Sequence, residues 1–176
     1  MHRCGREARL KGYVKALILI IFLFAADQYT KWLVSINLKP WQIKPVTSFL
    51  NLVHVRNTGM VFGFLSGINN KAVFWVITIA SLSAAIFVVY LFIKEKNGFA
   101  RFTLSLIISG AAGNLFDRIS RGYVIDFLDF HIGKHHWPSF NLSDSFITVG
   151  SLLLILYFLM GGEKKNVSDS LQDWAD

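Results

Sequence analysis

Two aspartates stand in the otherwise apolar run GYVIDFLDF at 122–130, and a third lies in FNLSDSF at 140–146. A carboxylate buried alone is costly, so Asp126 and Asp129 need a partner or a task. As a strand the run would point them to opposite faces; as a helix it would place them on one face at i and i+3. Asp144 is the candidate partner for Asp126. It opens an apolar run, where the first turn of a helix presents free backbone N–H groups that favour a negative charge. Two carboxylates sharing a proton can activate a water and then protonate a leaving amine, which is aspartic-peptidase chemistry. The residues alone fit equally well a plain N-cap at Asp144 and an exposed loop charge at Asp126.

The remaining polar groups offer less. Asp27 and Lys31 stand at i, i+4, a spacing that lets them pair on one helix face. Asn114 and Arg118 repeat that spacing, with Asp117 beside them. His131, His135 and His136 have no Cys or Glu at ligand spacing, so they read as interfacial histidines and no metal or other cofactor is expected. A serine nucleophile would need Lys31 as its base, and Asp27 competes for that amine. Gly59 and Gly63 lack the Lys-Ser/Thr that completes a phosphate loop. The small patch Gly110, Ala111, Ala112 and Gly113 suits close helix packing.

The elements that must position these groups are membrane helices. Of 176 residues, 53% are hydrophobic and 16% charged, and the apolar ones are concentrated. Residues 72–93 and 145–162 carry no charge, and runs of this length are span candidates. Residues 16–26 and 102–116 are shorter uncharged runs, each ending in polar residues placed near one membrane face. Position 27 onward offers no small-residue cleavage site, so the first run is expected to be a retained helix rather than a signal peptide. The net charge of +7 suggests nucleic acid only until it is mapped. Lys and Arg crowd into 1–15, 94–101 and the tail, leaving the connections 35–71 and 119–143 poor in them. That asymmetry predicts both termini in the cytoplasm, the two longer connections outside and no nucleic-acid partner.

In the outer connections, 48–65 carries strand signals with a turn candidate at 57–59, which predicts a small hairpin or sheet on the outer surface. The connection 121–143 reads as irregular, with a short amphipathic piece around 126–132. Cys4 is the only cysteine, so no internal disulfide can form. The expected organisation is one domain over 1–165, including both outer connections, and a polar cytoplasmic tail over 166–176.

Together, DQYTK (27–31), NTGMVFG (57–63), GAAGNLFDRISRGYVIDFLDF (110–130) and FNLSD (140–144) resemble lipoprotein signal peptidase, or signal peptidase II. The resemblance runs from the first helix to the fourth. It implies an all-α membrane protein of four transmembrane helices with a small extracytoplasmic β-cradle, in the bacterial inner membrane with its active site at the outer face. It implies Asp126 and Asp144 as the catalytic dyad. Asn57, Gly59, Asn114, Arg118 and Asn141 would line the cleft or support the dyad, and Asp27 and Lys31 would be structural near it. Asp129 would be a loop or interfacial contact. The implied reaction hydrolyses diacylglyceryl-prolipoproteins just before the lipidated cysteine, by a monomer among membrane lipids, with the outer loops clamping the peptide. Arg118 could neutralise carboxylates or position a substrate carbonyl. Val61 and Ser143 replace alanines usual in the family, which puts pocket shape in question.

Two other classes compete. A proton-coupled carrier would use Asp27, Asp126 and Asp144 as a relay, but carriers place such groups near the midplane between internal repeats, and no repeat is visible. A non-enzymatic assembly factor would survive loss of either dyad carboxylate.

Overall fold

Backbone polar groups in a hydrocarbon solvent must be satisfied within their own element, so the apolar runs fold as helices. The computed structural model describes residues 2–58 and 71–161, and places four helices there: α1 (His2–Asn37), α2 (Lys71–Lys94), α3 (Gly98–Arg121) and α4 (Leu142–Leu159). Three of them, α2, α3 and α4, are long and apolar enough to cross a membrane. Gly59, Val61 and the tail expected over 166–176 lie outside the described residues.

α3 is the central helix and packs against the other three. Asn97 caps its start, the side chain accepting from the N–H groups of Phe99 and Ala100 at 2.8 and 3.1 Å. Gly122 ends it at φ 76°, where a side chain would be strained, and returns its N–H to the Arg118 carbonyl. α3 touches α4 through glycine. A Cβ on Gly110 would collide with the Ser143 carbonyl, and one on Gly150 would come within 2.9 Å of the Thr103 carbonyl. α2, by contrast, leaves Trp75, Val76, Ile79, Ile86 and Phe87 exposed, a surface suited to lipid.

Beyond the helix ends lies one four-stranded antiparallel sheet in the order β1 (Ile43–Pro45), β2 (Leu50–Asn57), β3 (Val124–Ile132), β4 (His135–His136). β2 lies within the 48–65 stretch that carries strand signals, whereas β1 precedes it. The segment 121–143 corrects the expectation of an irregular connection, because β3 and β4 lie within it. Its aspartates masked the alternation: Val124, Ile125, Asp126 and Phe127 are all buried, so both faces of β3 are covered there. Ile125 and Phe127 pack on Val34 and Leu38 from the end of α1. Burying such side chains is worth about 1.5–3 kcal/mol each. That contact fixes which way the intervening Asp126 faces.

Candidate active site

Asp126 and Asp129 settle the question their spacing raised. Three positions apart on one strand, they fall on opposite faces. Two asparagines of β2 meet them: Asn57 Nδ2 donates to Asp126 Oδ2 at 2.9 Å, and Asn51 Nδ2 donates to Asp129 Oδ2 at 2.8 Å. Asn51 and Asn57 are six apart and would share a face in a regular strand. A register shift between Leu52 and Val55 inserts one residue and turns them to opposite sides. The bulge thus builds two polar sites from one strand pair.

On the first face, Asp126 is held near the start of α4 by Asn141. This residue is the N-cap of α4, and its side chain accepts from the Asp144 N–H at 3.0 Å while Asp144 Oδ2 accepts from the Asn141 N–H at 3.2 Å. The capping box immobilises Asp144 by backbone geometry. The Asn141 amide then donates to Asp126 Oδ1 at 2.7 Å. One fully buried asparagine therefore holds both carboxylates. Asp144 is a cap as well as a candidate reactive group, so the two readings of its position do not exclude each other. Asp126 is buried, which removes the alternative of an exposed loop charge.

Behind the pair lies a chain of buried polar groups. Asn114 Nδ2 donates to Asp144 Oδ1 at 2.8 Å, and Lys31 Nζ donates to Asn114 Oδ1 at 3.2 Å. Lys31 is fully buried between Asp27 at 2.8 Å and Asp117 at 2.9 Å. Asp27 also accepts from the Ser143 N–H at 2.9 Å, tying α1 to the first turn of α4. Asp117 accepts from Gln28 at 3.2 Å and pairs with Arg121. Gln28 and Arg121 carry no role in the sequence reading, and Asp117 stands there only beside Arg118. Gln28 is next to Asp27, and Arg121 is i+4 from Asp117, so helical spacing was the available signal.

Burial, helped by the neighbouring Asp144 charge, pushes the Asp126 carboxyl up to about 7, against the opposing hydrogen bonds from Asn57 and Asn141. Near neutrality it therefore holds a proton part of the time, as a carboxyl that alternately accepts and donates must. Arg118 is partly buried within electrostatic reach of Asp144, Asp126 and Asp117, and its Nε has no hydrogen-bond partner among the described residues. Of the loop or interfacial contact expected of Asp129, the loop placement does not hold, because it lies in β3. It is a buried strand residue that also pairs with His136 Nδ1 at 2.9 Å. His131 stacks on the His136 ring.

A family model described as signal peptidase (SPase) II matches residues 19–160. A lipoprotein signal peptidase of Francisella tularensis subsp. novicida is 44% identical over 157 residues, covering 88% of this chain and 98% of the relative. One of Thermodesulfovibrio yellowstonii is 42% identical over 146 residues, covering 83% and 95%. A bacterial membrane enzyme solved by the in meso method at 2.3 Å superposes with a TM-score of 0.71 at 35% identity, over 86% of this chain and 91% of that one.

Proposed function

The chain belongs to the signal peptidase II family of aspartic peptidases, whose members cleave signal peptides from prolipoproteins, and from that premise we propose that Asp126 and Asp144 perform the hydrolysis. The observation that carries this reading is Asn141, whose amide holds Asp126 while its backbone and side chain cap-lock Asp144. A water placed between the carboxylates loses a proton to the ionised one as it attacks the scissile carbonyl. The protonated one hydrogen-bonds the carbonyl oxygen, and the leaving amine is protonated as the tetrahedral intermediate collapses. Arg118, with a donor to spare, positions a carbonyl of the substrate peptide or stabilises its developing charge.

α1 supplies a fourth span, with both termini in the cytoplasm and the sheet at the outer surface of the inner membrane. Asn57 and Asn141 hold Asp126 at the cleft, and Asp27 and Lys31 hold the helix ends that carry the dyad. The enzyme acts as a monomer. The scissile bond lies before a diacylglyceryl-cysteine, whose acyl chains stay in lipid while the peptide bond reaches the water at the dyad.

The test is cleavage of a diacylglyceryl-prolipoprotein peptide by the purified protein in lipid, with products read by mass spectrometry. Release of a mature fragment beginning at the lipidated cysteine is expected, with the unlipidated peptide a poor substrate. Equal cleavage of both peptides, or cleavage elsewhere, overturns the substrate assignment.

A further inference from the structure

The bulge in β2 builds a second polar site that the hydrolytic reaction does not use. On the face of the sheet opposite Asp126, Asp129 sits only 5% exposed, with Asn51 Nδ2 on one oxygen and His136 Nδ1 within 3.0 Å of both. It belongs to the lining of a cavity of about 430 Å³ whose other walls include Trp41, Ile43, Val53, Trp137 and Pro138. A cavity of this size admits a small organic group. A carboxylate among indole rings is the chemistry that receives an organic cation, by charge and by the ring quadrupole.

Trp41 supplies a second, independent observation. It is the only non-glycine residue with positive φ among those described, at 67°. That conformation is unfavourable for a bulky side chain and persists where the surroundings impose it, which happens at ligand clamps. Here the Trp41 N–H bonds the carbonyl of His54, which lies within the register shift, at 2.8 Å, and the His54 N–H returns to the Gln42 carbonyl at 3.2 Å. The bulge that turns Asp129 away from the dyad also sets Trp41 beside it.

The rim identifies the cation's carrier. Trp41 follows the end of α1 by four residues, and Trp41, Ile43, Val46 and Trp137 are all at least half exposed. Tryptophan exposed next to a helix end is the pattern of a membrane–water interface. Lys39, two residues before Trp41, is exposed as well and adds positive charge outside a negative floor. An inner anion and an outer cation complement an ammonium joined to a phosphate.

We propose that this reverse face of the sheet is a headgroup site for a zwitterionic aminophospholipid, with Asp129 taking the ammonium between Trp41 and Trp137 and the basic rim taking the phosphate. Such a site anchors the sheet to the bilayer, independently of the peptide in the cleft.

The full-length protein, purified and reconstituted with equal parts of phosphatidylethanolamine and phosphatidylglycerol, is released from the mixture and its retained lipid measured by native mass spectrometry. The wild type is expected to retain the ethanolamine lipid at least fivefold over the glycerol lipid. Asp129→Asn and Trp137→Leu each abolish the preference. Trp41→Gly keeps the fold, because glycine accepts the positive φ, and weakens retention by removing a wall. Equal retention of the two lipids by wild type, or an unchanged preference in Trp41→Gly and Trp137→Leu, overturns the proposal. So does a wild type without lipid preference whose Asp129→Asn variant raises KM only for substrates with a lysine after the cysteine, since the cavity then serves the peptide.

Discussion

Lys31 reaches Asn114 Oδ1 at 3.2 Å, and because an ammonium can only donate, this contact fixes the Asn114 amide with its Nδ2 toward Asp144. A cation buried in α1 thereby orients a hydrogen-bond donor on α3 against a carboxylate on α4. The same ammonium bridges Asp27 and Asp117, so one side chain serves both the fold and the site.

Replacing Lys31 by Met leaves two buried carboxylates without their common cation. Removing one member of such a group costs about 3–5 kcal/mol, so Lys31→Met should lower the thermal midpoint sharply in detergent. The triple variant that also carries Asp27→Asn and Asp117→Asn should recover most of that loss. A triple variant no more stable than Lys31→Met refutes the pairing as the cause.

The Ser143 hydroxyl is fully buried without a hydrogen-bond partner among the described residues. A buried hydroxyl left unsatisfied costs about 1–3 kcal/mol, so Ser143→Ala should stabilise the protein by roughly 1 kcal/mol. A thermal midpoint below the wild type's would mean the hydroxyl has a partner.

Gly113 marks where α1, α3 and α4 converge. A Cβ there would fall on Ser143 Oγ and within 2.6 Å of Asp27 Oδ2. Gly113→Ala should destabilise by about 1–3 kcal/mol, as overpacking does. Combined with Ser143→Ala the loss should be smaller than the two effects summed, because one of the two collisions is gone. Strict additivity in that cycle contradicts the geometry.

The Asp126 carboxyl sits near 7, well above the range of an unfolded chain, so the folded state keeps a proton that the unfolded state releases. Its contribution to stability is full below about pH 4 and falls as pH rises toward 7, by up to about 1.4 kcal/mol per unit. Asp126→Asn removes the charge and keeps the shape. The advantage of this variant over wild type in thermal midpoint should therefore grow between pH 4.5 and 7.5 and then level off. A constant difference across that range rules out the raised value.

The sequence displayed the dyad candidates, the Asp27–Lys31 spacing and the long apolar helices, because these depend on local pattern. Asp117 was noticed only as a neighbour of Arg118, since its task lies in reaching Lys31 on another helix. β3 was read as irregular for a related reason. Its alternation fails because both faces are buried around Asp126, which period-two reading cannot register. The bulge that separates Asn51 from Asn57 has no glycine or proline to announce it, and within it His54 bonds the Trp41 turn, a contact distant in sequence. Neither the second polar face nor the role of Asp129 could be read without that extra residue.

The most direct measurement is cleavage of a diacylglyceryl-prolipoprotein peptide by Asp126→Asn and Asp144→Asn, each matched to wild type for helicity and thermal midpoint. In the proposed mechanism both carboxylates handle the transferred protons, so each variant should lose roughly 10²–10⁴-fold or more in kcat with little change in KM. A well-folded Asp126→Asn or Asp144→Asn enzyme with wild-type kcat would contradict the two-carboxylate mechanism.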